Sequence, residues 1–196
     1  MVFPCRWIVV LTVLLATGLR LAAASAADRA FDAAVKAFHD TFYERAEAQL
    51  AEFRQKHPTS PRLPEAILLQ AQARLEVSNY AGAIELLTAG QNAAGKYADQ
   101  YQFWLAQTCL RKGDWRAASD AFAKLLKEFP DSSRRLEAVI GEASARAALA
   151  QTDAAEWPRV IALLQETNGV FQSAASTNAA GEWVAQGSLL LSEALL

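Results

Sequence analysis

Few side chains in this sequence have the chemistry to act on another molecule. Two histidines, His39 and His57, stand 18 residues apart. Neither has a cysteine, a second histidine or a Glu-x-x-His partner at the spacing that sets metal ligands on one face of a helix. As packing residues they are solvent-facing or capping groups near helix C-termini. Cys109 is the one cysteine after residue 26, so an intrachain disulfide there has no second partner. It serves either as a small hydrophobe on a packing face or as a reactive or intermolecular thiol. The chain has no Gly-rich phosphate loop, no Gly-x-Ser-x-Gly and no nucleophile beside a base. The charges of "RRLEAVIGEASAR" (134–146) recur at helical spacing, the pattern of a solvated face with weak ion pairs. No catalytic residue, metal site or cofactor is expected.

The first 26 residues form a separate category. "MVFPCR" is a short basic start, "WIVVLTVLLATGL" (7–19) an apolar run, and "ASA" (24–26) a small-x-small cleavage site before Ala27. This is the pattern of a secretory signal peptide. The run is shorter than the roughly 20 residues of a spanning helix and Arg20 interrupts it, which favours cleavage over an uncleaved anchor. An exported protein with no direct membrane span is expected, periplasmic or associated with a bacterial cell envelope. No cysteine follows the cleavage site to take a lipid. Loss of residues 1–26 removes two cations and no anion, shifting the net charge from −2 to −4. That mild acidity argues against a nucleic-acid partner.

The rest of the chain repeats itself. "HPTSPRLPEAILLQAQARLEV" (57–77) returns 72 residues later as "FPDSSRRLEAVIGEASARAAL" (129–149). Pro58/Pro130, Ser60/Ser132, Arg62/Arg134, Glu65/Glu137 and Arg74/Arg146 are matched. Between the two copies lies a unit over 99–132 with Gly-Asp-Trp at 113–115, Ala118, Phe122 and Pro130 at the offsets of a 34-residue helix-turn-helix repeat. The unit over 64–97 carries Ser-Asn-Tyr (78–80), Ala83 and Leu87 at the same offsets, and that over 27–60 carries Tyr43, Ala46, Leu50 and Pro58. A fourth unit, 136–170, holds Trp157, Val160 and Leu164 behind a turn lengthened by about five residues, "TDAAE". An incomplete fifth, 180–196, opens with Trp183 and Gly187. Ala71, Ala106, Ala143, Ala83 and Ala118 sit where two antiparallel helices approach closely, and Tyr80, Trp115, Phe122 and Leu87 are expected to fill the space beside them. Ser60 and Ser132 are expected to cap the following helices. Helices are predicted over 28–40, 43–56, 63–77, 80–91, 97–112, 115–128, 133–150, 156–168 and 179–195. The weakest stretches are 91–96 and 168–181, the second being the expected flexible segment.

These landmarks resemble the tetratricopeptide repeat (TPR) superfamily across the chain beyond residue 26. The "KHPTS" and "EFPDS" junctions look like the subgroup of bacterial cell-envelope repeat proteins, such as the Tol-Pal-associated periplasmic protein and the barrel-assembly lipoprotein. The resemblance implies an all-α superhelix, a solenoid of antiparallel helix pairs, that binds a partner peptide or domain on the concave wall of its first helices. Carried over by position, that wall comprises Glu65, Leu68, Gln72, Leu75 and Glu76. The next unit adds Gln100, Phe103, Gln107, Leu110 and Arg111, and the fourth adds Glu137, Ile140, Ser144, Ala147 and Ala148. Helical spacing places each set on one face, although Leu68, Phe103 and Ile140 are equally suited to a core. Gln72, Gln107 and Ser144 stand where a carboxylate-clamping member has asparagine, so a chaperone tail is not the expected ligand.

Two functions follow from the resemblance. The first is a non-catalytic scaffold that binds another envelope protein. The second is an N-terminal helper or assembly region of a larger exported enzyme or secretion machine. The final stretch, "GEWVAQGSLLLSEALL", bears on both. Trp183, Leu189, Leu190, Leu191, Leu195 and Leu196 are too many apolar groups for one preceding unit to cover. Continuation of the array, or self-association through this helix, is therefore expected.

Overall fold

The computed structural model describes residues 26–166, 169–177 and 181–196; residues 1–25 of the proposed signal (1–26) lie outside them. The described residues form ten α-helices and no strand. They are α1 (26–39), α2 (Tyr43–Lys56), α3 (Leu63–Glu76), α4 (Tyr80–Gly90), α5 (Ala98–Lys112), α6 (Trp115–Glu128), α7 (Arg135–Ala150), α8 (Trp157–Gln165), α9 (Val170–Thr177) and α10 (Gly181–Ala194). Each helix from α2 on packs against the next along the chain as far as α8. This is the all-α repeat array expected from the apolar stripes, each of which only a neighbour can cover.

The packing alanines explain the approach of the helices. Ala46, Ala66, Ala71, Ala83, Ala106, Ala118, Ala138 and Ala143 are all buried, so backbones come together where a larger side chain would hold them apart. Leu87 and Phe122 fill the adjoining space with no exposure, but Tyr80 is only half-buried and Trp115 is 38% exposed. The indole at the start of α6 lies on the surface of the pair rather than inside it. Three glycine positions show how tight the packing is. A Cβ on Gly141 would overlap the Phe122 ring, one on Gly187 the Phe171 ring, and one on Gly90 the Tyr101 ring.

Neighbouring first helices touch one another, α3 on α5 and α5 on α7, and α10 packs on α7 and α8 as the next first helix would. No contact of that extent joins α2 to α4 or α4 to α6. The first-helix layer is thus the crowded inner side of the curve.

The repeated phrase has a physical meaning at the junctions. Ser60 Oγ accepts a hydrogen bond from the Arg62 backbone N–H at 3.2 Å, and Ser132 Oγ accepts from Arg134 at 3.1 Å. The serines therefore close a turn ahead of the helix; the N-cap positions are Arg62 and Arg134, and neither helix has a side-chain cap. The turn aims each arginine back at the preceding first helix. The Arg62 guanidinium lies 3.8 Å from the Phe31 ring centre and Arg134 lies 5.1 Å from that of Phe103. Arg62 also bonds Asp32 and Arg134 bonds Glu137, at 2.9 and 3.1 Å. Each junction is stapled by a cation over a ring.

Two stretches differ from the expectation. Residues 91–97 hold two 3-10 turns, Gln91–Ala93 and Gly95–Tyr97, with Ala94 buried between them. Within 168–181, expected to be flexible, Val170–Thr177 is the helix α9, and its Phe171 is buried against Ile140 and Leu164. Correspondingly α8 ends at Gln165 rather than 168.

Candidate functional site

The inner face is built from one stripe of each first helix. Leu68, Leu75, Phe103 and Ile140 belong to the core: Leu68 packs with Ile67, Leu87 and Tyr101, Phe103 with Phe122 and Ala106, and Ile140 with Val160 and Phe171. Of the residues assigned to the binding wall, these four and Ala147, which is buried in the Ile140 cluster, are the ones that a partner cannot reach without opening the pairs.

The remaining positions form a surface. Glu76 on α3 and Arg111 on α5 pair at 2.9 Å across neighbouring units. Glu65 is held by its own helix, with Arg62 Nε 3.4 Å away. Gln100 accepts from Arg134 Nε at 3.4 Å. Leu110 is half-buried at the edge of the Phe103 cluster. Ser144 donates to the Ile140 carbonyl at 2.8 Å and accepts from Gln186 Nε2 on α10 at 3.4 Å. Gln72 and Gln107, one on each of two touching helices, are half-buried and form no side-chain hydrogen bond. A primary amide carries two donors and an acceptor with two lone pairs, so these two side chains present unused bonding capacity next to the neutralised Glu76–Arg111 pair.

Trp104 was not legible as a member of this face. It is half-buried, touches the clusters of both the second and third pairs, and meets Phe103 edge-on at 5.5 Å. Its signal in the sequence is its adjacency to Phe103, which draws attention to the deeper ring.

The opposite side carries a denser set of charges. A cleft of about 490 Å³ is lined by Glu142, Arg146, Arg159, Ala162, Leu163 and Glu166. Arg146 bonds Glu142 at 2.8 Å and Glu156 at 2.9 Å. Glu156 also takes Arg159 at 2.8 Å and has Arg116 of α6 at 3.9 Å. Burial pushes the Glu142 carboxyl above its ordinary value, more than the bonds from Arg146 lower it. Burial pushes Glu156 the same way, but the bonds from Arg146 and Arg159 prevail and hold it below the ordinary range. The inserted turn is what delivers Glu156: Asp153 caps the 3-10 turn Ala154–Glu156 at 3.1 Å, and the next carboxylate drops among the arginines.

The first two pairs have the same device with the charge moved. Arg74 bonds Glu47 of α2 at 2.9 Å and the Gly82 carbonyl at 2.9 Å, while Gln70 links Glu47 and Arg54 at 2.8 Å each. In the repeat register Gln70 corresponds to Glu142, and Glu47 to Ser119. Arg74 therefore takes its one carboxylate from the preceding second helix, whereas Arg146 takes one from its own first helix and another, Glu156, from the inserted turn. Every cation of the second-copy cleft faces a carboxylate, which is the arrangement of a structural network and leaves no cation directed at a ligand.

Among the described residues no group of three or more His, Cys, Asp or Glu side chains has the geometry to hold a metal ion. Burial raises the Cys109 thiol above its ordinary value, the opposite of what an activated nucleophile requires. No described helix is long and apolar enough to cross a membrane. No protein-family model matches the chain, and no curated protein matches it.

Proposed function

We propose that this protein is an exported, non-catalytic interaction scaffold of a bacterial cell envelope, a TPR-like array that binds a partner peptide or domain on its inner face. The observation that carries this reading is the pair Gln72 and Gln107, half-buried on touching first helices and without intramolecular partners. The amide atoms of both remain open to solvent, so a ligand whose backbone presents alternating N–H and C=O groups can take the place of water there. The Glu76–Arg111 pair beside them carries no net charge, so an extended segment is recognised there by hydrogen bonding and by contact with Trp104 rather than by charge. The secretory pattern of residues 1–26 and the "KHPTS" and "EFPDS" junctions support the envelope assignment.

A second reading rests on α10. Trp183, Leu190 and Leu191 pack on the α7–α8 pair, whereas Leu189 is 69% exposed. In this reading the array is an assembly region that takes a further helix, of another copy or of a larger exported machine, on α10.

The test is photo-cross-linking in the native cells with a reactive residue at position 107, followed by affinity measurements on the purified partner. On the inner-face reading Gln72→Ala with Gln107→Ala weakens binding by about 1 to 3 kcal/mol and leaves the melting temperature unchanged. Cross-links confined to position 189 would transfer the function to α10.

A further inference from the structure

The two copies of the repeated phrase fill one buried position differently. In the first, the Gln70 amide oxygen accepts from the Arg54 guanidinium of α2 at 2.8 Å, and the Gln70 amide nitrogen donates to Glu47 at 2.8 Å. Both polar atoms of that side chain have partners. In the second copy, 72 positions on, Glu142 stands in place of Gln70 and Leu126 in place of Arg54. The amide has become a carboxylate, and the cation that lay on it has become an alkyl group.

Arg146 meets only half of that carboxylate. Its Nε and Nη2 both reach Oε1 of Glu142, at 2.9 and 2.8 Å, instead of taking one oxygen each as a fork-on-fork pair does. Among the described residues nothing bonds Oε2, although Glu142 is only 4% exposed. Oε2 is not sealed in the interior, and Glu142 lines the cleft between α7 and α8, so the free oxygen opens into that cleft. Arg159, Ala162, Leu163 and Glu166 line the other wall at helical spacing along α8. Ala162 and Leu163 make that wall apolar ahead of Glu166, an exposed carboxylate with no ion pair or side-chain hydrogen bond among the described residues. The charges around the cleft do not balance. Arg116 of α6, Arg146 and Arg159 all lie within 4 Å of Glu156, and Asp120 of α6, Glu142 and Glu166 stand besides. Burial and Asp120 hold the Glu142 carboxyl above its ordinary value in spite of Arg146; a further cation is what this position lacks.

We propose that the α7–α8 cleft binds the guanidinium of an arginine side chain carried by a protein partner, its head on Glu142 Oε2 and Glu166 and its stem on Ala162 and Leu163. The first copy shows the same contact made within the chain, by Arg54 on Gln70. In the second copy Leu126 cannot make it, so the cation has to come from outside. A guanidinium suits the position because its planar fork can reach two carboxylates at once while its alkyl stem lies on apolar surface. An anionic ligand finds no unneutralised cation here, and an apolar one leaves Oε2 buried without a partner. The cleft lies on the opposite side from Gln72 and Gln107 and does not depend on the reading of the inner face.

The experiment titrates the full chain with N-acetylarginine amide and follows the methyl resonances of Ala162 and Leu163 by NMR. N-acetylcitrulline amide, of the same shape without the charge, is the control, and free arginine separates a residue within a chain from a small-molecule ligand. Saturable shifts are expected with the blocked arginine and none with citrulline. Free arginine is expected to bind more weakly, because its own carboxylate meets those of the cleft. Glu142→Gln, which installs the residue of the first copy, is expected to weaken the blocked arginine about ten-fold. Glu166→Gln, at an exposed side chain that holds nothing in the fold, is expected to weaken it about two-fold and tests the site even where the other variant disturbs the network. Absence of saturation, equal shifts with citrulline, tighter binding of free arginine or unchanged affinity in either variant overturns the proposal.

Discussion

At the scale of single residues, buried polarity is organised around two arginines, Arg74 and Arg146, each supplied with carboxylate by a different helix. Glu156 is 2% exposed and holds three guanidinium groups within 4 Å. Its removal leaves Arg146 half-neutralised in the interior, so Glu156→Gln is expected to cost about 3 kcal/mol at neutral pH, measured by chemical denaturation. The pH dependence has two opposing parts. Glu156 and Glu47 have lowered values, so their stabilisation is present above the unfolded carboxylate range and is lost as pH falls through their folded values. Glu142 has a raised value, so it lowers stability as pH rises through the ordinary carboxylate range to its folded value. Glu142→Gln should therefore gain on the wild type as pH rises above the ordinary carboxylate range, and a denaturation series taken upward from that range reads the difference directly. Thr41 belongs to this scale too. With φ of 63°, Thr41→Gly relieves a left-handed β-branched residue and is expected to stabilise by about 1 kcal/mol, seen as a higher denaturation midpoint.

At the scale of elements, small residues decide how closely helices approach. Ala118 on α6 has no exposure, so Ala118→Leu overpacks the α5–α6 crossing and costs roughly 1 to 3 kcal/mol. Lys124, exposed on the same helix and 3.9 Å from Glu128, changes stability by less than about 0.5 kcal/mol on substitution by Ala. Equal effects at the two sites would refute the repeat register. Gly187 occupies the same register position on α10 as Ala71, Ala106 and Ala143, but here even a methyl group collides with Phe171 and Ile140. The reason is α9, which wedges Phe171 into the space that a regular pair would leave. Gly187→Leu is expected to detach α10 from α7 while leaving α3–α6 folded; limited proteolysis would show cleavage in the last two helices alone.

At the scale of the molecule, the array is a chain of nearest-neighbour interfaces, and such a chain frays from its ends. The central pairs, α5–α6 and α6–α7, share the most continuous burial, with Phe122 and Leu125 fully covered. At the far end α10 covers its partners with half-buried side chains and leaves Leu189 exposed. Native-state hydrogen exchange should accordingly be slowest in α5–α7 and fastest in α9–α10. Uniform exchange protection along the chain would contradict a nearest-neighbour array. The inner and outer sides also differ in polarity, with amides that lack intramolecular partners on the first and ion networks on the second.

The all-helical array was legible because each of its causes is local. Tyr43, Tyr80, Trp115 and Trp157 open helices in the structure because turn residues, apolar spacing and proline breaks act within a few positions of each other. The inner-face residues were legible only as a stripe. Helical spacing puts Leu68 and Gln72 on one side of α3, but whether a side chain at that side is covered depends on how near α5 comes, which no local pattern contains. The same holds for Ser60 and Ser132: their type announces a hydrogen bond to backbone, and the path of the chain into the next unit turns it into the staple that aims Arg62 and Arg134. Helix α9 escaped notice because eight residues are too few for a periodic signal, and Phe171 acquires its role from Gly187, sixteen positions away. The sharing of carboxylate between Glu47 and Glu142 is likewise a property of neighbouring helices, since an ion pair is a matter of distance in space and the two copies reach the same distance from different helices.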